Sequence, residues 1–125
     1  MSLRKAFKNI AKTPFVHEMS FAEAIIRNVL RFAEEKQAKT VTSVRVRVGE
    51  LLLINPEQLQ FCFSVASKGT IAEGAKLEIS VERADIRCLL CGRELSKDEM
   101  LCECGGFAQV KGGKDFILES VVVEV

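Results

Sequence analysis

Four of the chain's five cysteines fall in two close pairs. Cys88 and Cys91 form a C-x-x-C followed by Gly92. Cys102 and Cys104 form a C-x-C followed by Gly105 and Gly106. Structural zinc takes four ligands at the corners of a tetrahedron, and thiolates supply them well. A C-x-x-C turn aims two sulfurs at one ion, and the glycine after it lets backbone amides turn toward those sulfurs. The C-x-C is one residue shorter, so its bite is tighter and a slightly strained or labile site is expected. Two disulfide-forming redox pairs, or four free thiols, are the alternatives that cysteine arithmetic leaves open.

Little else in the chain could do chemistry. His17 is the only histidine, and Glu18, Met19 and Ser20 follow it. Position 21 is Phe, so this is not the H-E-x-x-H of a metalloprotease. Taken alone, a histidine at a helix start reads as a surface or capping group. Cys62 lies on the apolar stripe of a helix, which gives it a packing role and spoils a nucleophile–base pair with His17. Gly69 and Gly74 are isolated, and Lys111-Gly112-Gly113-Lys114 lacks the flanks of a phosphate loop. No catalytic set can be assembled, so the chain is not expected to be an enzyme.

Composition narrows the class. At 125 residues and 48% hydrophobic content the chain suits one domain plus a small satellite. No apolar run approaches the roughly 20 residues of a membrane helix, and no secretory segment is present. Paired thiols without an export signal point to a reducing cytoplasm. The net charge of +1 hides an asymmetry. Residues 1–16 carry Arg4, Lys5, Lys8 and Lys12 and no acid. The other 14 basic residues face all 17 acids, which makes the body −3. Phosphate binding needs a basic face, and the cysteine segment offers only Phe107 for stacking. Nucleic acid is therefore not an expected partner.

The elements that must position these groups are legible. Residues 1–16 look like an addition, with Leu3, Phe7 and Ile10 at helical spacing between lysines. They read either as a basic amphipathic segment or as a docked or disordered extension, and Pro14 breaks any helix there. Ser20 with Glu23 makes a capping box. Ala22, Ile25, Ile26, Val29 and Ala33 then mark one helical face to about Lys36. Val44, Val46 and Val48 alternate with Arg45 and Arg47 in a strand that stops at Gly49-Glu50. Asn55-Pro56 opens a second helix, with Asn as N-cap and Pro first, and Leu59, Cys62, Phe63 and Ala66 form its stripe. Leu77, Ile79 and Val81 predict a further strand. In the closing FILESVVVEV, strict alternation puts Ile117, Val121, Val123 and Val125 on one side and Leu118 and Val122 on the other. A ribbon of about 28 residues cannot bury so long an apolar strand, so it should return to the first sheet. The fold class is α+β: a small α/β domain, with a mixed or antiparallel sheet and two helices, carrying an inserted zinc ribbon. The divisions are 1–16, an atypical extension; 17–85 with 114–125, the α/β domain; and 86–113, the ribbon.

Across residues 16–125 the segments VHEMSFAEAI, RVGELLLINPEQLQF, KGTIAEGAKLEI and the Cys88–Cys104 module together resemble the HypA/HybF family of nickel-incorporation proteins for [NiFe]-hydrogenase. The resemblance implies a nickel metallochaperone. Ni(II) would be cargo held by the His17 imidazole and by the backbone amides of His17 and Glu18, a nitrogen set suited to square-planar Ni(II). Zinc on Cys88, Cys91, Cys102 and Cys104 would be structural. The implied partners are a HypB-type GTPase and a hydrogenase large-subunit precursor, with urease as another possible client. No membrane is implied, and the state is a monomer or weak homodimer. Two departures stand out. The family's terminal amine is displaced by the residues ahead of His17, unless Val16 is an initiator read from a GUG codon. The second cysteine pair is C-x-C where the family has C-x-x-C. The alternative function is a zinc-ribbon interaction adaptor without nickel delivery.

Overall fold

The computed structural model of the chain describes residues 5–7 and 18–125. Strand β1 is Lys5–Phe7, helix α1 is Glu18–Glu35 and strand β2 is Thr40–Gly49. Helix α2 is Pro56–Ala66, and β3 is Lys76–Glu82. The short strands β4 (Asp85–Cys88) and β5 (Ala108–Lys111) precede the long β6 (Phe116–Glu124). The main sheet has the order β1-β6-β2-β3, and β4 and β5 pair as a separate ribbon. Two helices on a mixed sheet make the fold α+β.

Helix α1 starts two residues ahead of the sequence expectation. Ser20 is its third residue and so cannot cap it. Glu18 opens the helix, where a carboxylate is favoured by the helix dipole, and its Oε1 accepts the Asn55 N–H at 3.1 Å. The second helix begins as expected. Asn55 Oδ1 accepts from the Glu57 and Gln58 amides at 2.9 and 3.2 Å, with Pro56 in the first position. Helix α2 is the crossover between β2 and β3, which run parallel with Val44 beside Leu77 and Val46 beside Ile79.

The final strand does return to the main sheet, antiparallel to β2, but its facing differs from strict alternation. Arg45 pairs with Ser120 while Val46 pairs with Leu118, so Glu119 is an extra residue. This bulge switches the side-chain parity. Phe116 and Leu118 before it, and Val121 and Val123 after it, all face the core, while Val122 is exposed. Val81 is also exposed, near the far end of the edge strand β3. In the N-terminal segment, residues 5–7 are a strand rather than a turn of helix. They pair antiparallel with Phe116–Leu118 and satisfy backbone groups that an open sheet edge leaves unpaired. The remainder of residues 1–16 lies outside the described residues.

One apolar cluster joins the two helices to one face of the main sheet. Phe21 stacks on Phe116 with ring centroids 4.8 Å apart. Cys62 belongs to this cluster and not to the other cysteines. Cys62→Ala removes one buried heavy atom and should cost about 1 kcal/mol of stability. Thermal melting would show a lower midpoint, and the metal-to-protein ratio should stay unchanged.

A second, small cluster lies in the ribbon: Ile86, Cys88, Leu95 and Cys102. Two chain passages connect it to the body across the end of β2. The Gly49 amide donates to Asp115 O at 2.8 Å, and the Leu51 amide to Gly113 O at 2.9 Å. The crossing admits no side chains. A Cβ on Gly49 would strike the Gly113 carbonyl, and one on Gly113, whose φ is +72°, would lie 2.6 Å from Ala84 Cβ.

Candidate metal centre

The four paired cysteines come from two tight turns facing each other. In the first, the Gly92 amide donates to Cys88 O at 3.0 Å and Cys88 N to Arg93 O at 2.9 Å. Gly92 supplies the left-handed φ of +78° that this closure needs. The Leu90 and Cys91 amides then point at Cys88 Sγ, at 3.4 and 3.5 Å. In the second, Gly105 N donates to Cys102 O at 2.9 Å and Cys102 N to Gly106 O at 2.8 Å. The shorter C-x-C is thus accommodated by closing its turn through two successive glycines. Gly106 also lets the turns meet, because a Cβ there would overlap Cys88 Sγ.

Cys88 Sγ lies 3.4 Å from Cys104 Sγ, and Cys91 Sγ lies 3.6 Å from Cys102 Sγ. All four sulfurs are within 4.8 Å of one another. A disulfide needs about 2.05 Å, so these are four free thiols. With metal–sulfur bonds of about 2.3 Å, a tetrahedron has edges of about 3.8 Å. The donor set therefore matches a tetrahedral thiophilic ion in both spacing and chemistry. Cys88 and Cys102 are buried, and Cys91 and Cys104 are exposed.

The charges around the cluster are arranged for thiolates. Arg93 Nε donates to Cys102 Sγ at 3.4 Å, and its second guanidinium nitrogen pairs with Glu99 at 2.9 Å. The other Glu99 oxygen accepts the Ser96 amide at 3.1 Å. The Arg93 contact, seconded by the Cys104 amide, brings the Cys102 thiol down to about 6. The Cys91 amide, with that of Leu90, holds Cys88 below the ordinary thiol value. At Cys104 the Gly106 amide pulls downward, but the Cys88, Cys102 and Cys91 sulfurs prevail and push it up to about 12. Arg93 was not singled out by the sequence reading. Its signal was a basic residue directly after C-x-x-C-G.

With its thiol held down at about 6 by Arg93, Cys102 is the sulfur that enters zinc binding at pH 7.5 largely as the thiolate. Arg93→Met should return it toward the ordinary thiol range, above that pH. Zinc binding requires the thiolate, so it should then release up to about one more proton per ion than in the parent chain. Calorimetry in buffers of different ionisation enthalpy counts that proton, and an unchanged count would mean that Arg93 does not set the Cys102 charge.

The other expected metal residues lie elsewhere. Glu18 opens α1 beside the cap of α2, and His17 lies outside the described residues. Among the described residues, the four cysteines are the only metal-ligating cluster of three or more His, Cys, Asp or Glu, and no helix is long and apolar enough to cross a membrane.

Comparison with known proteins agrees with this architecture. Residues 16–123 match the family described as hydrogenase/urease nickel incorporation, metallochaperone, hypA. The hydrogenase maturation factor HypA of Archaeoglobus fulgidus is 99% identical over 110 residues, covering 88% of this chain and 100% of that protein. The hydrogenase maturation factor HypA of Aquifex aeolicus is 37% identical, covering 88% and 99%. The solution structure of the Ni metallochaperone HypA from Helicobacter pylori shares the fold, with a TM-score of 0.62 at 20% identity, over 88% of this chain and 99% of that one.

Proposed function

The chain belongs to the HypA family of hydrogenase/urease nickel-incorporation metallochaperones, and from that premise we propose that it carries Ni(II) to a [NiFe]-hydrogenase under assembly. The observation that carries this reading is the family match over residues 16–123, which takes in the His17 motif, both helices and both cysteine pairs. The 99% identical relative is named as a hydrogenase maturation factor, which favours hydrogenase over urease as client. The chain performs no reaction of its own. It works in the cytoplasm, where a HypB-type GTPase and the hydrogenase large-subunit precursor are its partners.

Two metals have separate roles. Zinc is held by Cys88, Cys91, Cys102 and Cys104 and folds the ribbon, residues 86–113. The compact sulfur cluster and the separate apolar cluster around it support that division. Nickel is cargo on residues 17–85 with 114–125, bound by the His17 imidazole and the backbone amides of His17 and Glu18. Residues 1–16 are an addition to this unit. The Glu18 carboxylate, engaged with the Asn55 amide, is free of the nickel and instead fixes the backbone that presents it.

His17→Ala tests the reading. Nickel binding in equilibrium dialysis should fall to background, while one zinc per chain and the circular dichroism spectrum stay as they were. Nickel retained by that variant would place the cargo site elsewhere.

A further inference from the structure

Beyond the metals themselves, the ribbon displays an apolar row close to the cysteine cluster. Cys88 pairs with Ala108 across β4 and β5, and the next residue along, Leu89, donates its amide to Phe107 O at 2.9 Å. Phe107 in turn bridges antiparallel to Leu101. Leu89, Phe107 and Leu101 therefore lie side by side across three short segments, about 10 Å wide at ordinary strand spacing. They are 58%, 68% and 57% exposed. Their chain neighbours Cys88 and Cys102 are buried instead, at 4% and 6% exposure. Leu90 and Met100 are also exposed on the ribbon, at 75% and 73%. Five large apolar side chains on so small a module exceed the scattered exposure normal for a surface.

Charge indicates what covers the row. Within 86–113, Arg87, Arg93, Lys97 and Lys111 balance Glu94, Asp98, Glu99 and Glu103. Four thiolates around one divalent ion add a net −2 directly behind the row. Arg87 and Arg93 are tied to Asp85 and Glu99, and Glu103 stands exposed in the turn between two of the cysteines. Two copies meeting at this face would bring two such anionic centres together, so self-association is disfavoured. A segment with an apolar stripe flanked by Lys or Arg complements it in both shape and sign.

We propose that the outer face of the metal-loaded ribbon, centred on Leu89, Leu101 and Phe107, docks a basic amphipathic segment of another protein. The proposal rests on the zinc assignment made above. The ion would assemble the row by holding its segments in register, so docking would be lost with the metal.

The test uses the full zinc-loaded chain and a fluorescent 14-residue peptide of alternating leucine and lysine blocks, LKKLLKLLKKLLKL. Fluorescence anisotropy should show saturable binding that weakens at least about tenfold in Phe107→Ser and in Leu101→Ser, each made separately and confirmed to keep one zinc. The glutamate counterpart of the peptide should not bind. Nitrogen–proton spectra of the unsubstituted protein provide a readout that needs no variant: the peptide should shift the Leu89, Leu101 and Phe107 amides first. Equal binding by both variants, or shifts confined to the helices, would overturn the proposal. So would a concentration-dependent dimer abolished by Phe107→Ser, since a second copy would then be the occupant. Zinc-free chain that binds the peptide as tightly as the loaded chain overturns the metal dependence and leaves zinc itself to be judged separately, by metal content.

Discussion

Cys91→Ser should empty the ribbon of zinc and unfold it while leaving the helical body intact. Cys91 is the informative choice because it is exposed. Its removal sacrifices no buried packing, so any collapse must come from the lost ligand. The ribbon's own apolar cluster is Ile86, Cys88, Leu95 and Cys102, and two of those four belong to the sulfur cluster itself. Such a core cannot offset the entropy of ordering the segment. Structural zinc contributes about 10–16 kcal/mol of apparent binding free energy near neutral pH in small domains, and that is the term at stake. The expected result is well under one zinc per chain by mass spectrometry. Amide hydrogen exchange should become fast across 86–113, with protection retained in α1, α2, β2 and β3. The body has its own cluster on the helices and main sheet, so helical circular dichroism should persist. A variant that kept one tightly held zinc would sink the four-cysteine assignment.

Much of this arrangement was legible in the residues. Asn55-Pro56 gave the start of α2 because its signal is local: one side chain, two amides and a fixed φ. The alternation of Val44, Val46 and Val48 gave β2 because its parallel pairing with β3 stays in register throughout. The paired cysteines carried their ligand chemistry in their spacing. What was not legible is non-local. Ser20 and Glu23 have the form of a capping box, yet Ser20 lies inside α1, whose first turn is tied to Asn55, far along the chain. Strict alternation in β6 fails at Glu119, where a bulge set by pairing with β2 reverses the facing. Arg93 gains its role only once the second cysteine turn has folded against the first, within reach of Cys102. Gly106 likewise reads as an ordinary turn glycine until the Cys88 sulfur is placed beside it.

A chain that begins with methionine directly before His17 should bind nickel far more tightly at neutral pH than the full 125-residue chain. Ni(II) in a square-planar nitrogen set needs four donors. In the proposed site the His17 imidazole and the amides of His17 and Glu18 would provide three. In the short chain the fourth is a terminal amine, which loses its proton with a pKa of about 7.7–8.0. In the long chain that nitrogen is another peptide amide, a far weaker acid. The Glu18 amide lies in the first turn of helix α1, where amides have no intrahelical acceptor, so at that position the metal competes with no helical hydrogen bond. The Glu18 carboxylate, bound to the Asn55 amide, holds the first turn of α1 beside the cap of α2. The amine and both amides give up a proton on binding, so affinity of the short chain should fall about a thousandfold for each pH unit below the amine pKa. Above that pKa only the two amide protons remain to be released, and the dependence should relax to about a hundredfold per unit. Calorimetric titration of both zinc-loaded chains at pH 7 and pH 8 reads these expectations directly. Equal affinity in the two chains would show that His17 binds from an internal position and that the amine is not a ligand. Tight binding confined to the short chain would assign the fourth nitrogen to its amine, and residues 1–16 would then be a block on the cargo site rather than a part of it.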